Sequence, residues 1–167
     1  MNVIRIIYIV VVNLCLFSIQ AQTLPEFNNK PCLFDEKTKK LIDLEKSGYQ
    51  TMAKAKGIFK AEAGFFMDGI TSSVKIESQK EIKFIVKVIP GTDPTSLFDL
   101  VQFEIKKDKR VFITSKASIS KSSNSFEKIN YEVKKIKEGY YFLIVKDLAP
   151  GEYFFGANDF MYAFSIQ

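Results

Sequence analysis

Four cations in five residues, Lys106-Lys107-Asp108-Lys109-Arg110, form the densest charge in the chain. Such a run can hold an anion: a phosphate, an acidic glycan or a lipid headgroup. It equally suits a hairpin tip that its charge keeps soluble. The tyrosines are a second candidate. Tyr140, Tyr141 and Tyr153, with Phe154 and Phe155, can present an aromatic surface to sugar or peptide, because a tyrosine ring is apolar while its hydroxyl reaches water. At alternating strand positions about half of these rings turn into the core. Tyr153, just after a turn, can instead bond back to the backbone as a corner lock.

Other chemistries are excluded by residue type. The chain of 167 residues has no His and 2 Cys. This removes Ser-His and Cys-His catalytic pairs, imidazole-ligated metals and a Cys₄ zinc site. The acids Asp35, Glu36, Asp43, Glu45, Asp108, Glu132, Glu138, Asp147, Glu152 and Asp159 are scattered, with no metal-loop spacing. There is no G-x-S-x-G and no glycine-rich phosphate cradle. No catalytic, metal-binding or cofactor-binding residue is therefore assigned, and no cofactor is expected. A hydrolase would need two carboxylates that only the fold brings together. The net charge of +5 is too thinly spread to predict a nucleic-acid partner.

The elements that position these residues begin after a leader. Residues 1–21 carry one cation, Arg5, then the apolar run Ile6–Ile19, then small residues at Ser18 and Ala21. That order is a secretory signal peptide with the cut expected after Ala21. The apolar run is shorter than the ~20 residues of a spanning helix; the alternative is an uncleaved N-terminal anchor. Leu14 before Cys15 is too large for a lipoprotein cut. Residues 22–30 are expected to be a flexible lead, and 31–167 one domain without a transmembrane span. Cys32 is then the one remaining thiol, expected to be buried as a small apolar side chain.

Within 31–167 the hydropathy has period two. Ile82, Phe84, Val86 and Val88 share a face, opposite Lys83 and Lys87; Val101, Phe103 and Ile105 alternate with Gln102, Glu104 and Lys106; Phe160, Tyr162, Phe164 and Ile166 alternate with Met161, Ala163 and Ser165. Each pattern reads as a strand with one face in the core. Tyr140–Val145 is apolar on both faces, as in a covered central strand. Thr51–Met67 is ambiguous: Ala53-Lys54-Ala55-Lys56 favours helix by propensity. Phe59, Ala61, Ala63, Phe65 and Met67 alternate as a strand would, and Gly57, Gly64 and Gly69 interrupt any helix, so strand is the preferred reading. Glu138-Gly139 is a two-residue hairpin turn, and Ala149-Pro150-Gly151-Glu152 has the residue order of a type II turn, with Pro150 and Gly151 at its centre. Ser115–Ser125, rich in serine, reads as a mobile loop. Short strands joined by tight turns predict an all-β fold, a single antiparallel β-sandwich of Ig-like or jelly-roll-like type.

The stretch Asp147-Leu148-Ala149-Pro150-Gly151-Glu152-Tyr153-Phe154-Phe155, followed by the aromatic strand to Ile166, resembles the C-terminal signature of small bacterial exported β-sandwich proteins. In these a Leu-x-Pro-Gly-Glu-Tyr turn leads into a Phe-rich last strand. Pro31–Phe34, Leu41–Glu45 and Phe98–Arg110 are similar to that group as well, although Cys32 stands where it tends to have glycine. The resemblance implies a β-sandwich and export, and no activity. Together these readings predict a non-catalytic binding, adhesion or accessory domain of the bacterial envelope, in the periplasm or at the cell surface. Its partner would be an envelope protein or glycan. The alternatives are a hydrolase with a carboxylate pair, and a subunit whose sheet edge accepts a partner strand.

Overall fold

In the computed structural model the described residues are 24–55, 60–118, 121–124, 127–157 and 159–167. Residues 1–21, expected to be a leader, lie outside them. The segment expected to be flexible is tied down where it is described: Asn29 N–H donates to the Lys87 carbonyl at 2.8 Å, Lys30 pairs with Asp43, and Pro25 is buried. The backbone bond from Asn29 to Lys87 is the physical reason.

The chain then forms β1 (Cys32–Phe34), β2 (Leu41–Asp43), β3 (Glu45–Gly48) and β4 (Gln50–Ala55). β5 (Lys60–Asp68), β6 (Lys75–Ile76) and β7 (Glu81–Lys87) follow. A short 3₁₀ helix, Pro94–Ser96, capped by Asp93, leads into β8 (Asp99–Gln102), β9 (Glu104–Lys106) and β10 (Lys109–Ser118). The last five strands are β11 (Lys121–Asn124), β12 (Glu132–Lys137), β13 (Tyr140–Lys146), β14 (Gly151–Ala157) and β15 (Phe160–Ile166).

The fold is all-β and sandwich-like, and it has three sheets. The first has the order β12-β13-β7-β1-β2; the middle, β3-β15-β14-β8 with β6 beside β15; the third, β11-β10-β5-β4 with β9 beside β10. All strand pairs are antiparallel except β6 with β15. Two layers are the usual expectation for alternating strands. A third exists because both faces of β14 and β15 are apolar. Tyr153, Phe155, Tyr162, Phe164 and Ile166 share a core with Phe84, Val86 and Leu143 of the first sheet. Phe154, Met161 and Ala163 share a second core with Met67 and Phe112 of the third. Phe84 meets Phe155 and Phe164 at 5.0 and 4.9 Å between ring centroids, and on the other side Phe154 meets Phe103 and Phe112 at 4.4 and 5.3 Å. Tilted and offset rings at these spacings hold the layers together.

Two segments pass from sheet to sheet. β2, β3 and β4 follow one another along 41–55 and belong to the first, middle and third sheets in turn. The run expected as one strand, Asp99–Lys107, is broken at Phe103: β8 pairs with β14, β9 with β10. Phe103 N–H donates to the Glu152 carbonyl at 2.8 Å, so the crossing residue still has its backbone partner.

The local expectations fare unevenly. Gly139 has φ +76° between β12 and β13, with a bulge between Lys135 and Lys137. Thr51–Met67 is strand where it is described. Where it is described, the serine-rich segment is instead paired strand, with Ser115 opposite Asn124 and Ser118 opposite Lys121; positions 119, 120 and 125 lie outside the described residues. Backbone pairing along the free edge of β10 does not require apolar side chains there. The type II turn is also corrected: Gly151 has no positive φ and opens β14, while Asp147 takes the left-handed conformation at φ 52°. Gly151 matters for space, since a Cβ there would stand 2.8 Å from Gln102 Nε2 and 3.3 Å from the Tyr153 ring.

A sharper constraint lies between β5 and β10. The register slips around Thr114, and a Cβ on Gly64 would meet the Phe112 carbonyl oxygen at 2.0 Å. Gly64→Ala should lower stability by about 1–3 kcal/mol, the usual cost of overpacking. Gly48→Ala, whose methyl would meet nothing nearer than 4.0 Å, should leave stability unchanged or raise it by up to about 1 kcal/mol. Urea midpoints at constant slope measure both.

Candidate functional site

The run Lys106–Arg110 lies at a hairpin tip, as one of its two readings has it, but most of its cations are paired there with acids. Lys107 and Asp108 form the turn between β9 and β10, with Lys107 at φ 58°. Lys106 Nζ lies 2.8 Å from Glu104 and 3.7 Å from Glu62; Lys109 lies 3.3 Å from Asp68 and 3.8 Å above the Phe66 ring. Arg110 is 1% exposed. Of the four cations, Lys107 alone has no acidic partner among the described residues. The carboxylates come from strands distant in sequence, so the run Lys106–Arg110 shows its cations but not their partners.

Arg110 is the centre of a buried network. Its Nη1 and Nη2 donate to the two carboxylate oxygens of Glu45 on β3, at 2.9 and 2.6 Å. Nε donates to the Gly69 carbonyl at 3.2 Å, and Nη2 to that of Asp68 at 3.0 Å. Glu152 on β14 stands 3.9 Å from Nη1. Glu152 also accepts from Ser165 Oγ at 2.6 Å and from Ser72 N–H at 2.8 Å, while Ser73 N–H donates to Glu45 at 3.1 Å. Burial alone would raise the Glu45 carboxyl; the Arg110 and Ser72 hydrogen bonds and the guanidinium charge outweigh it and hold the group below the ordinary glutamate range. These two acids meet through a shared arginine. Both accept hydrogen bonds from protein donors: Glu45 from Arg110 and Ser73 N–H, and Glu152 from Ser72 N–H and Ser165 Oγ.

Cys32, on the face of the first sheet opposite the core, is buried as expected. Burial, followed by its hydrogen bond to Asp43, pushes the thiol up to about 12, so it carries negligible thiolate at neutral pH. Asp43 is paired in turn with Lys30 at 2.6 Å. No group of three or more His, Cys, Asp or Glu residues that could hold a metal occurs among the described residues. No helix there is long and apolar enough to cross a membrane.

The three tyrosines separate. Tyr153 is 2% exposed, and its hydroxyl donates to the Ala149 carbonyl at 2.8 Å; it locks the corner before β14 and presents no ring to solvent. Tyr141 packs against the core between the first and middle sheets. Tyr140 faces the other way. The register places Lys137, Tyr140 and Lys87 side by side on β12, β13 and β7, so their side chains share the outer face. Lys137 Nζ lies 4.8 Å and Lys87 Nζ 5.8 Å from the Tyr140 ring centre. Lys87 Nζ also donates to the Glu26 carbonyl at 2.9 Å. Lys134, on the same face opposite Phe142, completes the set. Among the described residues, Lys87, Lys134 and Lys137 have no acidic partner, whereas Lys30, Lys83 and Lys146 of the same face are each paired with a carboxylate. Three cations without an acidic partner among the described residues are thus gathered on one face by strand pairing. The alternation of Lys83 and Lys87 marks that face in the sequence, but not which lysines find acids.

Glu45→Gln removes half of the bidentate pair and should cost about 3–5 kcal/mol, as breaking one partner of a buried pair does. Because the folded-state carboxyl lies below its unfolded value, its contribution is present above the unfolded range and lost as pH falls through the folded one. The native protein should therefore lose stability on acidification more steeply than Glu45→Gln; denaturant midpoints from neutral pH into the acid range give both curves.

Compared with family models, curated proteins and solved structures, the chain matches none.

Proposed function

We propose that the chain is an exported, non-catalytic binding domain of the cell envelope, and that its ligand is anionic. The cross-strand row Lys137–Tyr140–Lys87 carries the proposal: a rigid sheet face with cations that lack carboxylate partners among the described residues. Binding on such a face is electrostatic, with a range of ~10 Å at 0.1 M salt. The non-catalytic part is supported by what the fold does with its reactive groups. Glu45, Glu152 and Arg110 are saturated by one another and by backbone, and the Cys32 thiol is buried and protonated. The N-terminal leader supports export.

Retention on a phosphate-bearing matrix tests this. Lys87→Glu/Lys137→Glu should elute at clearly lower salt than Lys75→Glu/Lys107→Glu, a pair of equal charge change on exposed lysines elsewhere. Equal elution of the two double variants would mean that only net charge is being read, and would remove the site.

A further inference from the structure

The same end of the first sheet exposes two large apolar side chains, and we infer that it docks on an anionic bilayer surface; the inference rests on the anion-binding reading above. Phe27 and Ile89 are 61% and 63% exposed, the highest values for large apolar side chains among the described residues. Both stand beside the lysine row. Asn28 bridges to Lys87, Lys87 Nζ reaches the Glu26 carbonyl, and Lys30 Nζ lies 5.9 Å from the Phe27 ring. Ile89 follows Lys87 by two residues, and between them Val88 N–H donates to the Gly139 carbonyl, next to Tyr140, at 2.8 Å.

Apolar tips ringed by lysine and tyrosine match the layering of a membrane surface. Ammonium groups meet lipid phosphates, a phenol sits at headgroup depth, and the apolar tips pass below it. An acidic glycan fits less well. The Tyr140 ring, on which a sugar would stack, already has Lys137 and Lys87 over it.

The chain has no Trp, so Ile89→Trp and Ile105→Trp each place a single fluorophore. Ile105 lies on the third sheet and is 49% exposed, which makes it the control. With vesicles of equimolar phosphatidylcholine and phosphatidylglycerol, Trp at 89 should shift to the blue and be quenched by brominated lipid, while Trp at 105 stays in water. Lys87→Glu/Lys137→Glu in the Ile89→Trp protein should weaken vesicle binding roughly tenfold or more. Three results would overturn docking: an unshifted Trp at 89, an equal response to pure phosphatidylcholine, or binding of soluble polygalacturonate in place of vesicles. If vesicles fail while the phosphate-matrix difference between the double variants persists, the membrane is wrong and the anion site stands.

Discussion

A guanidinium with 1% exposure has to be answered by acceptors on every side, and the acceptors of Arg110 come from all around it. Glu45 belongs to a strand of the middle sheet, Asp68 and Gly69 to the end of β5 and the turn that follows, and Glu152 to β14. The third sheet can therefore sit against the middle one in only one register, because any slip leaves a buried charge without a partner. The phenylalanine contacts on both faces of β14 supply the area. The arginine supplies the alignment, since apolar packing is largely indifferent to small shifts and a bidentate carboxylate pair is not.

Much of this fold is legible in the sequence because strand alternation is local. Ile82, Phe84 and Val86 announce β7, and the aromatic repeat from Phe160 to Ile166 announces β15. What period two cannot distinguish is a strand buried on one face from one buried on both when the second face carries small residues or a thioether. Met161 and Ala163 read as the outward side of β15, yet they are 0% exposed because a third sheet covers them. The Phe103 crossing is equally invisible. The alternation runs unbroken through it, and only the partners of Gln102 and Glu104 reveal that the strand has changed sheets.

The candidate site shows the same division between local and distant information. A run of lysines is plain in the sequence, and Lys106–Arg110 is the obvious place to seek an anion. Whether a cation stays available depends on acids far away along the chain: Glu45 lies 65 residues from Arg110, and Glu62 and Asp68 come from β5. Lys87, Lys134 and Lys137 are dispersed in sequence and meet only through the pairing of β12, β13 and β7. Tyr140 was recognisable as an aromatic with a polar tip, whereas its two lysine neighbours follow from register alone. Tyr153 reads equally well as a surface ring and as a corner lock, and burial decides for the lock.

Strand pairing gathers Lys87, Lys134 and Lys137 on the outer face of the first sheet, whereas at the β9–β10 turn Lys106, Lys109 and Arg110 are each paired with carboxylates, so an anion should bind the former and not the latter. Titrating the isotope-labelled protein with inorganic phosphate and following backbone amide shifts tests it most directly. The account predicts perturbations that gather at Lys87, Lys137 and Tyr140 and fade toward the third sheet. Shifts centred on Lys106–Lys109, with the Tyr140 row silent, would contradict it.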